Sequence, residues 1–112
     1  MADLEKINRF SEIPDSGPMC DLLWADPSPS MGRTPSKRGI SIGFGPDVSK
    51  AFLEDNNLEL LVRSHEMKDE GYSEEHDGRV VTIFSAPNYC DQMKNKGAFI
   101  TFHGDDMKPN YT

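Results

Sequence analysis

Leu4, Ile7 and Phe10 recur at helical spacing in "DLEKINRF", with Asp3 placed to cap the first turn, so the pattern predicts an opening amphipathic helix. Pro14, Gly17 and Pro18 interrupt it, and "MCDLLWAD" resumes as a short apolar helix. From Asp26 to Gly39 the chain has three prolines, two glycines and no hydrophobic period, which reads as a long loop. "FGPDVSKAFLEDNN" then predicts a helix with Pro46 in its first turn, Val48, Phe52 and Leu53 facing inward, and Asn56-Asn57 at its end.

Beyond that helix the pattern changes to strands. "LELLVRSHE" is a short apolar strand running into polar residues. "GYSEEHDGRVVTIFSA" reads as a β-hairpin turning at Asp77-Gly78, with Arg79 to Phe84 returning, and "GAFITFHG" is a further strand. Helix, loop, helix, strand, hairpin, strand is the order of an α/β or α+β layered fold, and 112 residues suit a single domain.

Composition makes the core lean. Leu, Ile, Val and Phe supply 23 of the 112 residues, close to the roughly 20% below which chains fail to fold. The net charge of −7 is carried by Glu54 to Asp77, where nine acids face two bases. No basic stripe is left for a phosphate backbone, which argues against nucleic acid as a partner. No apolar run approaches the ~20 residues of a membrane span. Cys20 and Cys90 are isolated, so free thiols in a reducing cytoplasmic or nuclear compartment are expected.

Three places have residues suited to chemistry. His65 follows a buried strand, the edge where ligands collect in layered sheets, and its imidazole could serve Zn, Mn or Fe; an ordinary hydrogen-bonded histidine fits the same pattern. Arg38 closes the long loop, with Gly39 allowing a tight turn beneath it. A guanidinium so held suits bidentate capture of a phosphate or carboxylate, although a solvated basic pair with Lys37 is the commoner meaning of such a pattern. In "SAPNYC", Pro87 stiffens a turn that offers the Tyr89 hydroxyl and the Cys90 thiol; a hairpin-like turn with no role fits the same residues.

"SKRGISIGFGPDV", "LELLVRSHEMKDEGY" and "VVTIFSAPNYCDQMKNKGAF", with "PDSGPMCDLLWADP" before them, resemble the C-terminal part of PPP-type serine/threonine protein phosphatases. The similarity runs from about Leu4 to Asn110, and "RSHE" with "DEGY" and "NYCDQM" is most like the type-5 members. The resemblance implies a partial calcineurin-like metallophosphatase fold, a β-sandwich flanked by helices, and metal-dependent hydrolysis of phosphoserine and phosphothreonine in proteins. It implies that His65 is one ligand of a two-metal centre of Mn or Fe/Zn and that Arg38 holds the substrate phosphoryl group. By the same resemblance Tyr89 overhangs the centre and touches substrates and toxin inhibitors, which also reach Cys90. Lys94 departs from the family pattern, where type-5 members have Gly.

The family's other motifs, of the form GDxHG, GDxVDRG, GNHE and HGGL, do not occur in these residues. Two readings follow. The chain is a C-terminal piece of a phosphatase catalytic domain, inactive alone, acting on phosphoprotein substrates and meeting chaperone or regulatory partners through domains outside it. Alternatively, it is a non-catalytic binding protein that keeps part of the phosphatase fold.

Overall fold

The computed structural model describes residues 1–112. They fall into two compact units, Met1–Glu59 and Leu60–Thr112.

The first unit opens with α1, Ala2–Glu5, which is far shorter than the predicted helix. Leu4 and Ile7 are half-buried but Phe10 is 95% exposed, so the far end of the apolar stripe has nothing to pack on, and a helix without tertiary support there does not propagate. Asp3 lies inside the helix, and Met1 is its cap. The next helix, α2 over Pro18–Trp24, buries Cys20 and leaves Leu22 and Leu23 exposed.

Asp26–Gly39 is not one loop. It contains β1 (Asp26–Pro27) and β2 (Arg33–Pro35), which flank β3 (Ile42–Phe44) in a three-stranded sheet. β1 runs parallel to β3 and β2 antiparallel to it. The prolines hid these strands from a pattern reading; as Pro27 and Pro35 sit at strand ends on the two edges, their missing N–H groups break little of the ladder.

α3, Pro46–Asp55, matches its expected span. Pro46 occupies the first turn, where an N–H would have no helical partner. Asn57 closes the other end at φ +54°: its N–H donates to the Glu54 carbonyl at 3.2 Å, and Leu58 N–H reaches the Leu53 carbonyl at 2.8 Å. This pair of bonds is the Schellman stop, with Asn in the usual glycine place. Leu53 and Ser49 face the interior, and Val48 and Phe52 are half-buried.

The second unit is built on β4 (Leu61–Arg63), β5 (Tyr72–Glu75) and β6 (Val80–Ile83), in the order β4-β6-β5. β4 is parallel to β6, while β5 pairs with it as the antiparallel hairpin the sequence predicts. Asp77 (φ +58°) and Gly78 (φ +78°) form the centre of the turn, closed by Arg79 N–H donating to the His76 carbonyl at 3.1 Å. Val80, Val81 and Thr82 are all fully buried. Three successive buried residues mean that both faces of β6 are covered, since side chains alternate along a strand.

β7 (Ile100–Phe102) pairs antiparallel with β8 (Pro109–Tyr111), a strand that the hydrophobic pattern does not reveal. Tyr111 stacks on Tyr72 at 4.0 Å between ring centroids, and its hydroxyl donates to Glu74 at 2.7 Å. The core is as lean as the composition implies: the buried hydrophobic residues are Cys20, Leu53, Val80, Val81 and Ala98. No helix is long and apolar enough to cross a membrane.

Candidate active site

In the first unit, Arg38 is tied down on both sides of its Cα. Its backbone N–H donates to the Ser36 hydroxyl at 3.1 Å, and Gly39 N–H donates to the Ser36 carbonyl at 3.2 Å with Gly39 at φ +76°. The side chain lies against Asp26: Nε donates to Oδ2 at 2.5 Å and Nη2 to Oδ1 at 3.2 Å. Asp26 is buried on β1, so a rigid sheet holds the carboxylate that orients the guanidinium. This edge-on pairing uses the Nε side of the planar group and points Nη1 away from Asp26. A cavity of about 210 Å³ adjoins Asp26, lined also by Ser28, Thr34, Ser36, Lys37 and Gly43. Asp26 was not among the residues singled out from sequence; its only local signal is an acid between Ala25 and Pro27 at the start of the loop.

In the second unit, topology brings the other two candidates to one edge. β4 and β6 are parallel with Arg63 opposite Thr82, so their carboxyl ends lie side by side. His65 follows the first of these ends, and the Ser85–Cys90 turn follows the second. The carboxyl edge of parallel strands is where layered α/β folds build sites. His65 is exposed and takes φ +82°, a conformation that costs a non-glycine residue roughly 1–3 kcal/mol and collects at functional sites.

The charged side chains close to His65 in sequence form ion pairs and hydrogen bonds of their own. Arg63 Nη1 donates to Glu66 Oε1 at 2.6 Å and to the buried Thr82 hydroxyl at 3.0 Å. Lys68 bonds Glu75 at 3.1 Å, and Glu70 pairs with Lys96 at 2.7 Å. No three His, Cys, Asp or Glu side chains converge on a point that could hold a metal ion. The donors within these 112 residues therefore do not make a metal centre by themselves; a single imidazole is not a coordination site.

Tyr89 is 47% exposed and packs edge-to-face on Phe84, with ring centroids 5.1 Å apart and planes at 82°. Its turn is compact and strained: Asn88, Cys90, Asp91 and Lys94 all have φ between +46° and +57°. Gly97 closes the turn from behind. A Cβ there would collide with the Ser85 carbonyl and lie 3.1 Å from the Pro87 ring, so no larger residue fits. Cys90 is exposed, whereas Cys20 is buried; burial first, and then the charges of Asp21 and Asp15, push the Cys20 thiol up from its ordinary value.

Residues 1–69 match the family model of the calcineurin-like phosphoesterases. The chain belongs to the calcineurin-like phosphoesterase family. Within this phosphoesterase family it is 66% identical over 110 residues to serine/threonine-protein phosphatase 5 of Arabidopsis thaliana, covering 98% of this chain and 20% of that one. It is 62% identical over 109 residues to serine/threonine-protein phosphatase 5 of Homo sapiens, covering 97% of this chain and 22% of the relative. The chain thus spans about a fifth of the length of these relatives.

A solved protein serine/threonine phosphatase from Saccharomyces cerevisiae, described as similar to human phosphatase PP5, superposes with a TM-score of 0.90 at 38% identity. The match covers all of this chain and 38% of that one. The mixed α/β fold and the resemblance to type-5 phosphatases expected from sequence are borne out. As calcineurin-like phosphoesterases are metallophosphatases, the family chemistry uses divalent metal ions.

Proposed function

We propose that these residues form part of the catalytic domain of a serine/threonine phosphoprotein phosphatase and do not hydrolyse phosphoesters alone. The observation that supports this reading most directly is the parallel pairing of β4 with β6, which sets His65 and the Tyr89 turn on one carboxyl edge. His65 would hold one metal of a two-metal centre of Mn, Fe or Zn, with further ligands supplied from outside these 112 residues. Arg38, oriented by Asp26, binds the substrate phosphoryl oxygens. Tyr89 forms a rim against which the phosphopeptide lies.

What this chain itself contributes is charge and shape. A guanidinium fixed by a buried carboxylate reaches the phosphoryl oxygens without reorganising, so its stabilisation persists into the transition state. A tyrosine on a stiff turn limits how the peptide can approach. The incomplete donor set supports reading the isolated chain as non-catalytic, and its free thiols suit a reducing cytoplasmic or nuclear setting.

The test compares wild type with Arg38→Ala in a complete catalytic domain containing this segment, with a phosphoserine peptide as substrate. The expected result is a fall in kcat/KM of roughly 10²–10³-fold with metal content unchanged. Equal activity in the two proteins would reject the role of Arg38. Hydrolysis of the same peptide by the 112-residue chain alone would reject its non-catalytic character.

A further inference from the structure

Asn95 is a buried polar residue for which the activity above has no use. It is 5% exposed, and its side-chain amide meets three backbone groups of the turn it underlies. Oδ1 accepts the Tyr89 N–H at 2.7 Å, while Nδ2 donates to the Ala86 carbonyl at 2.8 Å and to the Lys96 carbonyl at 2.9 Å. Its own carbonyl accepts the Asn88 N–H at 2.9 Å. Asn88 returns the arrangement, its Oδ1 accepting the Lys94 N–H at 3.1 Å. The two asparagines thus lace the beginning, middle and end of the 86–96 segment together.

We propose that Asn95 is the positioning residue that fixes the backbone of Tyr89, and with it the aim of the phenol. The chemistry demands an amide. Two carbonyls face its nitrogen and one N–H faces its oxygen, so the group must offer two donors and an acceptor from a single short side chain. An ionised Asp offers no donor and sets a negative charge against two carbonyl oxygens. Gln carries the same amide one methylene too far. As Asn95 reaches the reaction only through Tyr89, the catalytic consequence rests on the substrate-contacting role proposed for Tyr89, whereas the positioning itself does not.

Hydrogen exchange and kinetics separate the two. In a complete catalytic domain containing this segment, Asn95→Asp is expected to lower protection of the Tyr89 amide roughly tenfold at neutral pH. The buried amides of Val81 and Thr82 should keep theirs. Protection should recover as pH falls through the pKa of the introduced carboxyl, because the neutral acid regains one donor; wild type should show no such recovery. Unchanged protection of Tyr89 in Asn95→Asp, or an equal loss in β6, would overturn the proposal. If that variant does not fold, Asn95→Ala gives the same exchange readout without the charge.

With a phosphoserine peptide, Asn95→Asp is expected to raise KM about fivefold with a smaller change in kcat, and to add nothing in a Tyr89→Ala background. A Tyr89→Ala protein with wild-type KM, alongside the exchange effect, would remove the substrate role of Tyr89 and leave the positioning by Asn95 standing.

Discussion

Asp26 holds Arg38 along one edge of its guanidinium, with Nε 2.5 Å and Nη2 3.2 Å from the two carboxylate oxygens. Because Asp26 is buried on a strand while Arg38 keeps 24% of its side chain exposed, the acid loses more than the base when the pair is broken. Arg38→Ala should therefore destabilise the protein by about 1–3 kcal/mol by leaving a buried charge without this partner. Asp26→Asn should cost less. A double-mutant cycle by urea unfolding should show the two effects to be strongly non-additive.

Lys94 sits at φ +55°, a left-handed position that glycine occupies at no steric cost. Lys94→Gly is expected to stabilise the protein by about 1 kcal/mol, even though glycine gains entropy in the unfolded chain. A fall in the urea midpoint would show that the lysine side chain outweighs its backbone strain.

The two thiols should differ sharply in reactivity. Cys90 is exposed, and Cys20 is 1% exposed with its thiol pushed up by burial. An aromatic disulfide reagent at pH 8 should titrate one thiol quickly and the second only on unfolding. Cys90→Ser should abolish the fast phase and Cys20→Ser should leave it.

Tyr111 offers a pH signature. Burial, and next its hydrogen bond to Glu74, raise the phenol above its ordinary value. The folded state then holds this proton more tightly than the unfolded chain, so the contribution to stability is full below pH ~10 and declines as pH rises past it. Urea unfolding between pH 8 and 11 should show that decline. Tyr111→Phe should flatten it and, with the hydrogen bond gone, lower stability near neutral pH by about 0.5–1.5 kcal/mol.

What the sequence revealed follows the range of the forces involved. α3 was legible because Pro46 and the Asn56-Asn57 stop act within a turn of the backbone they shape. The β5–β6 hairpin was legible because Asp77-Gly78 fixes its own geometry. The N-terminal helix was overestimated, since an apolar stripe predicts burial only if something lies opposite it, and Phe10 faces solvent. β1 and β2 were hidden because their partner, β3, lies further along the chain and prolines obscured both edges. His65, Arg38 and Tyr89 stood out by their local chemistry, and the family motifs suggested the role of each. Asp26 and Asn95 emerge only from bonds to residues six to twelve positions away, which no local pattern encodes.

On the role proposed for Tyr89, the four left-handed residues between Asn88 and Lys94, laced from beneath, bear on how fast a peptide can dock. Most of the ordering entropy of that rim is lost when the chain folds, so little is left to lose on encounter. Diffusion and orientation should then govern the association rate constant, and peptides of differing affinity should be sorted chiefly by how long each stays.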